Sequence, residues 1–155
     1  MLHDYTAITT ESVQRETDAA LAAAEELVAQ AIAVPPSFDG TMLPLELAGA
    51  ELVRAYGQTG FIGQVHTDAA VRDAGTEAEE RIYKWRVALI FRTDLYEAVR
   101  VFAETDEANG LTGERARLVE HWLRDFRRAG HELDADARAE LERLRTRLVE
   151  VEVTF

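Results

Sequence analysis

Apolar residues recur three and four positions apart in successive segments of this chain, and that helical period most limits the folds available to it. In the first segment, residues 10–33, one face carries Val13, Thr17, Ala20, Ala24, Leu27 and Ala31. Pro35 and Pro36 end the segment, because proline lacks the N–H that a helix needs and clashes with the preceding turn. We therefore predict a helix from about Thr10 to Ala33.

A second helix is predicted through residues 43–66, with Asp39 or Thr41 as its candidate N-cap. Glycine weakens a helix interior, so this helix is expected to be weak near Gly57, Gly60 and Gly63. Asp68 then caps a third helix, whose apolar stripe is Val71, Ala74, Ala78, Ile82, Trp85 and Leu89.

The second half of the chain repeats the pattern. A fourth, short helix is predicted to start at Thr93 or Asp94 and to direct inward Leu95, Val99 and Phe102. Residues 104–113 form the clearest loop. A fifth helix, about residues 112–129, is expected to bury Leu118, Trp122 and Phe126. Gly130 follows where a left-handed cap is common, and Asp134 opens the last helix.

The final residues carry two periods at once. Four of them alternate as in a strand: Val149, Val151, Val153 and Phe155. A longer row has helical spacing: Leu141, Leu144, Leu148, Val151 and Phe155. No Gly or Pro interrupts residues 134–155, so we predict a helix. Its apolar face has no evident partner in the chain, and we expect it to self-associate or to contact a larger protein of which this chain is a part.

Composition supports one helical domain over residues 1–155. Of the 155 residues, 47% are hydrophobic and 30% charged, with only 3 Pro, which suits a folded chain rich in the helix formers Ala, Leu, Glu and Arg. The predicted fold class is all-α, an antiparallel array of five or six helices. A net charge of −12 argues against binding to nucleic acid or anionic membranes. No apolar run reaches the roughly 18 residues of a membrane span and no signal peptide is visible, so a cytoplasmic location is expected.

Residues for chemistry are sparse. The stretch HELDA, which begins at His131, starts like the zinc-protease motif H-E-x-x-H, but Ala135 stands where the second His belongs. His131 is therefore interpreted as a solvated loop histidine, and His3, His66 and His121 lie far apart in sequence. No catalytic, cofactor-binding or metal-binding residue is predicted. The fifth helix gathers basic residues for which salt bridges are favoured over a carboxylate-binding patch: Arg115, Arg117, Arg124, Arg127 and Arg128.

Five stretches in order resemble the N-terminal region of the thimet oligopeptidase/oligopeptidase A family of zinc metallopeptidases. They are SFDGTMLPLELAGAEL, VHTDAAVRDAGTEAEERIYKW with His66, Asp68 and Arg72, FRTDLYEAV, LRDFRRAGHEL and LRTRLVEVEVTF. The similarity runs almost end to end. Gly60, Gly63 and Gly75 depart from it, in helices expected to be smoother in the family.

The resemblance implies a role without chemistry of its own. In that family the N-terminal helices form one wall of a deep channel that admits short peptides. The catalytic part lies far downstream and carries H-E-x-x-H and a further Glu ligand for zinc. No position of this chain matches those residues, so zinc belongs to the full-length family and this chain alone is expected to be inactive.

Two readings of the function remain open. The chain is the N-terminal domain of such a peptidase without its catalytic domain, or a free-standing interaction module derived from one. An enzyme in its own right is disfavoured, because no site can be assembled. In the first case the apolar row of the last helix is expected to face the missing catalytic domain.

Overall fold

The computed structural model describes residues 7–154. All of the regular secondary structure in that range is helical. The α-helices are α1 (Thr10–Ala33), α2 (Leu43–Gln58), α3 (Ile62–Val65), α4 (Ala69–Phe91), α5 (Thr93–Ala103), α6 (Asp106–Asn109), α7 (Gly113–Arg128) and α8 (Ala135–Thr154). A π turn (Phe38–Met42) precedes α2. Within the described range α3 and α6 are single turns and the other six helices are longer, which confirms the predicted all-α array.

Helix α1 has the predicted bounds and lies against α2. Thr9 caps it: its Oγ1 accepts from the backbone N–H of Ser12, whose hydroxyl accepts from the N–H of Thr9 in return. Its buried face is Val13, Thr17, Ala20, Ala24, Val28 and Ala31. Val28 is thus buried where Leu27 was predicted to be, and Leu27 is half-buried beside the core. The reason is that the packed face turns slightly along the helix. The small alanines let α2 approach closely through Ala48, Leu52 and Ala55.

The turn before α2 differs from the prediction. Ser37, rather than Asp39 or Thr41, supplies the capping oxygen, which accepts from the N–H of Gly40 at 3.0 Å. The reason is that the π turn begins at Phe38, so the first free N–H groups lie earlier in the chain than a helix starting at residue 43 would place them. Thr41 is instead buried, and the Phe38 N–H donates to Glu107 Oε1 at 3.0 Å.

The helix predicted through residues 43–66 is divided into α2 and α3. Helix α2 ends at Gln58, and Thr59 leaves the helical conformation with φ −124° and ψ −64°. The buried Thr59 hydroxyl donates to the Ala55 carbonyl oxygen at 2.8 Å, which satisfies it without water. The helix that was expected only to be weak near the glycines is therefore interrupted completely.

That break lets α3 cross α4 with backbone against backbone. A Cβ built on Gly75 of α4 would lie 2.3 Å from the Gly63 backbone N, and one on Gly63 would lie 2.8 Å from the Thr76 N. No side chain fits between the two helices here. Gly63 and Gly75, which depart from the family resemblance, are thus explained by this crossing.

Helices α4 and α5 meet at a charged corner. The Asp68 cap is confirmed: its Oδ1 accepts from the Ala70 N–H at 2.8 Å. At the other end Arg92 makes paired hydrogen bonds with Asp94, at 3.1 and 2.9 Å, and also pairs with Glu25 of α1. The Arg92 guanidinium lowers the pKa of the Asp94 carboxyl, and Asp94 is the main cause that raises the pKa of Arg92. The predicted inward residues of α5 are all buried: Leu95, Val99 and Phe102.

Helix α7 follows the short α6, which lies within the predicted loop. Phe126 is fully buried as predicted, whereas Leu118 and Trp122 are half-buried and Val119 takes the inner position. The Trp122 indole explains this, because its Nε1–H donates to Glu46 Oε1 at 3.3 Å and so stays near the surface. Gly130 has φ +84°, the left-handed conformation predicted for it.

Candidate interaction surface

Helix α8 carries the apolar row that the sequence left without a partner. Asp134 opens it as predicted, with its Oδ1 accepting from the Ala137 N–H at 2.9 Å. The helix continues through Thr154, so the helical prediction for the final residues holds as far as they are described, and the strand alternative is wrong.

One face of α8 packs on α4. Val149 is 9% exposed, and Glu150 accepts from Lys84 Nζ of α4 at 2.9 Å and from Arg147 Nη1 at 2.7 Å. The hydrogen bonds from Arg147 and Lys84 lower the pKa of Glu150, and Glu80 together with Glu150 raises the pKa of Lys84. These groups are at the surface, so they orient α8 more than they stabilise it.

A second face of α8 points to solvent. Leu144 is 51% exposed, Leu148 54% and Val151 47%, and their spacing of four and three residues places them in one row. We call these three residues the α8 stripe. Of the other two residues in the predicted row, Leu141 is half-buried and lies near Gly130, and Phe155 is outside the described residues.

An open depression of about 470 Å³ lies along another side of α8. Its walls are Ala139, Glu142, Arg143, Thr146, Arg147 and Glu150, so both charge signs are represented. Arg143 pairs with Glu140 at 2.7 Å and Arg147 with Glu150. Both arginines that line the depression therefore already pair with carboxylates of α8.

The histidines do not come together. In the part of the chain that the structure describes, no group of three or more His, Cys, Asp or Glu side chains could hold a metal ion. His66 Nδ1 accepts from the Asp68 N–H at 3.1 Å, His121 is exposed on α7, and His3 lies outside the described residues. Between residues 7 and 154 the fold therefore does not bring the predicted histidines together with other potential metal ligands.

His131 corrects the sequence prediction. It is not a solvated loop histidine, because its ring stacks on Tyr96 at 4.5 Å and meets the edge of Phe126 at 5.3 Å. Its Nε2 lies 2.9 Å from the Ile90 carbonyl oxygen. Nothing local in the sequence indicates this, since Ile90 is 41 positions away.

The arginines of α7 have mixed roles. Arg124 contacts Asp125 at 3.0 Å and Arg128 contacts the same carboxylate at 3.9 Å, as the salt-bridge interpretation predicts. Arg115 instead lies over the Phe38 ring, 4.5 Å from its centroid. These contacts do not form a carboxylate-binding patch.

Comparison with known proteins shows the family to which these helices belong. The family described as Neurolysin/Thimet oligopeptidase, N-terminal domain, matches residues 13–138. The chain belongs to this family. The match runs from the first turn of α1 through α7 and ends early in α8, so the α8 stripe lies outside it.

Two relatives are much longer than this chain. The mitochondrial intermediate peptidase of Pongo abelii is 29% identical over 137 residues, which are 88% of this chain and 19% of the relative. The thimet-like oligopeptidase of Dictyostelium discoideum is 29% identical over 102 residues, 61% of this chain and 15% of the relative. The chain therefore spans less than a fifth of either protein. None of the described helices is long and apolar enough to cross a membrane.

Proposed function

We propose that this chain is the non-catalytic, N-terminal helical domain of a zinc-dependent oligopeptidase, where it forms part of the wall of the channel that receives short peptides. The observation that carries the proposal is the family match over residues 13–138. The names of the two relatives, a peptidase and an oligopeptidase, support the same class of reaction.

The α8 stripe is the surface that we assign to the rest of such a peptidase. Leu144, Leu148 and Val151 are each about half exposed, whereas Val149 and the Lys84–Glu150 ion pair lie on the face of α8 that meets α4. An apolar row of this kind is favourably covered by another apolar surface. When the chain is alone, we expect a second copy to cover it.

The gene tests the peptidase assignment. We expect the reading frame to continue past the codon for Phe155 toward a segment with H-E-x-x-H. A stop codon at that point in the natural gene would instead favour the free-standing interaction module.

Activity provides a separate prediction. The chain is expected to leave short fluorogenic peptides uncleaved when zinc is added, because the side chains described between residues 7 and 154 form no group that could bind the metal. The control is a mock purification from the host strain without this chain, which measures cleavage by contaminating host peptidases. Zinc-dependent cleavage that persists through repurification would contradict the non-catalytic assignment.

Self-association is predicted for the chain alone. Leu148→Glu or Val151→Glu should raise the dimer dissociation constant at least about tenfold. Each substitution removes an apolar contact and puts a charge in the interface, and we expect this to weaken binding by more than about 1.4 kcal/mol. Multi-angle light scattering over a concentration series measures this.

Val101→Glu is the matched control for Val151→Glu, because Val101 is 43% exposed on α5, away from the stripe. It should leave the dissociation constant unchanged. A chain that stays monomeric at high concentration, or equal effects of the two valine substitutions, would count against the stripe as the interface.

The cytoplasmic location expected from the sequence is part of the same proposal. Cell fractionation with a C-terminal epitope tag would test it.

A further inference from the structure

The α8 stripe belongs to a longer apolar row with the heptad spacing of a coiled coil. The row, which we call the α8 seam, has intervals of four, three, four and three residues and consists of Ala137, Leu141, Leu144, Leu148 and Val151. This spacing alternates the d and a positions of a heptad, with Leu141 and Leu148 at a. Leu141 is half-buried and the other four residues are exposed. Because Val149 holds a different face of α8 on α4, the seam is open to a partner while α8 stays docked.

Charged residues border the seam on both sides. The e and g positions of a heptad flank a and d, and here the e positions are Arg138, Arg145 and Glu152 and the g positions are Glu140 and Arg147. An apolar strip confined to a and d is narrow, so it fits one helix. Glu140 and Arg147 already pair within α8, whereas Arg145 and Glu152 make no ion pair among the described residues.

A parallel copy of α8 would match these charges. In a parallel pair of helices, each g residue faces the e residue that lies five positions later on the other helix. Glu140 would therefore face Arg145 of the second copy, and Arg147 would face Glu152 of the second copy. Both contacts join opposite charges, and the two-fold symmetry of the pair makes each contact twice.

An antiparallel copy would bring like charges together. Such a pair aligns a residues with d residues, which places the two-fold axis near residue 146. Arg145 and Arg147 flank this axis, so each would face its own symmetry mate. These repulsions offset the attraction between Arg138 and Glu152 of the second copy. The charges therefore favour the parallel arrangement.

We propose that two copies of this chain, without a catalytic domain, pair their α8 seams as a parallel two-stranded coiled coil. The contacts of Glu140 with Arg145 and of Arg147 with Glu152 select this partner and this orientation. Helix α8 is already formed on α4, so the pairing does not have to order it. The inference rests on the part of the proposed function that assigns the α8 stripe to a partner, and it does not depend on the channel role.

Disulfide cross-linking of the whole chain tests the orientation. The chain has no Cys, so a single introduced cysteine reports which residues meet. Ala137→Cys puts a thiol at a d position, and in a parallel pair its two copies should be close enough to form a disulfide in a glutathione redox buffer. In an antiparallel pair they would lie about 18 residues apart along the axis, or about 27 Å. Ala139→Cys is the matched control, because Ala139 is also exposed on α8 but lies outside the seam. It should not cross-link.

A charge exchange tests the pairing of Glu140 with Arg145, which lies away from the Lys84–Glu150 contact with α4. At low ionic strength, Arg145→Glu should raise the dimer dissociation constant about tenfold, because both symmetry-related contacts become repulsive. Adding Glu140→Arg should return the constant to within about threefold of the wild-type value. Arg143→Glu changes the net charge equally but lies outside the seam, so it should leave the constant unchanged. Sedimentation equilibrium measures all four chains.

The outcomes separate this inference from the proposed function. Cross-linking of Ala139→Cys as fast as Ala137→Cys would overturn the parallel pair and leave the predicted self-association intact. An Arg145→Glu dimer that Glu140→Arg does not restore would do the same. A chain that is monomeric at high concentration would overturn the pair together with the predicted self-association, and the peptidase assignment would still be decided by the reading frame.

Discussion

Gly75→Ala is expected to lower the free energy of unfolding by about 3 kcal/mol, toward the upper end of the usual cost of overpacking a core. The added Cβ would lie 2.3 Å from the Gly63 backbone N and 2.8 Å from its Cα. Both atoms belong to backbone, so no side-chain rotamer can relieve the clash and α3 has to move away from α4. The better helix propensity of Ala offsets only about 1 kcal/mol. Urea unfolding followed by circular dichroism would measure the loss.

Gly49→Ala is the matched control, because Gly49 is also inside a helix but a Cβ there would meet nothing within 4 Å. This substitution should raise the stability by about 0.5–1 kcal/mol through helix propensity alone. If both substitutions stabilise the chain, the close crossing of α3 and α4 is wrong.

Phe126→Ala is expected to cost about 3–5 kcal/mol, the range for removing a buried phenylalanine. The Phe126 side chain is fully buried, and its ring centroid lies 5.5 Å from that of Tyr96 and 5.6 Å from that of Trp122. Its removal leaves a cavity that these rigid aromatic rings fill poorly. Thermal unfolding should show a fall in Tm of roughly 10 °C or more for a chain of this size.

Phe61→Ala tests whether the loss comes from burial. Phe61 is 42% exposed, so its replacement should change the stability by less than about 1 kcal/mol. Similar losses for Phe61 and Phe126 would mean that α7 does not close the core as described.

The helices and their ends were largely predictable because their signals are local. The bounds of α1 follow from a 3–4 apolar repeat and two prolines, and Asp68 and Asp134 cap the helices that follow them. The turn at residues 37–42 was not predictable in detail. Its cap depends on a π turn that Glu107 holds from another part of the chain.

The α8 stripe was predicted in part. Helical spacing identified the row, but whether Leu141 or Val149 is covered depends on how α8 rotates against α4. The ion pair between Lys84 and Glu150 contributes to that rotation, and its two residues are too far apart in the chain for a local pattern to connect them.

The sequence by itself determined that this chain is all-α, where most of its helices begin and end, and which family it resembles. Periodicity, capping and glycine or proline breaks act within a few residues, so they can be read from neighbours in the chain. Only the tertiary structure decided that Gly63 and Gly75 touch and that His131 is held by Ile90, Tyr96 and Phe126. Those contacts join separate helices, and their energies depend on distances and burial that no local pattern contains.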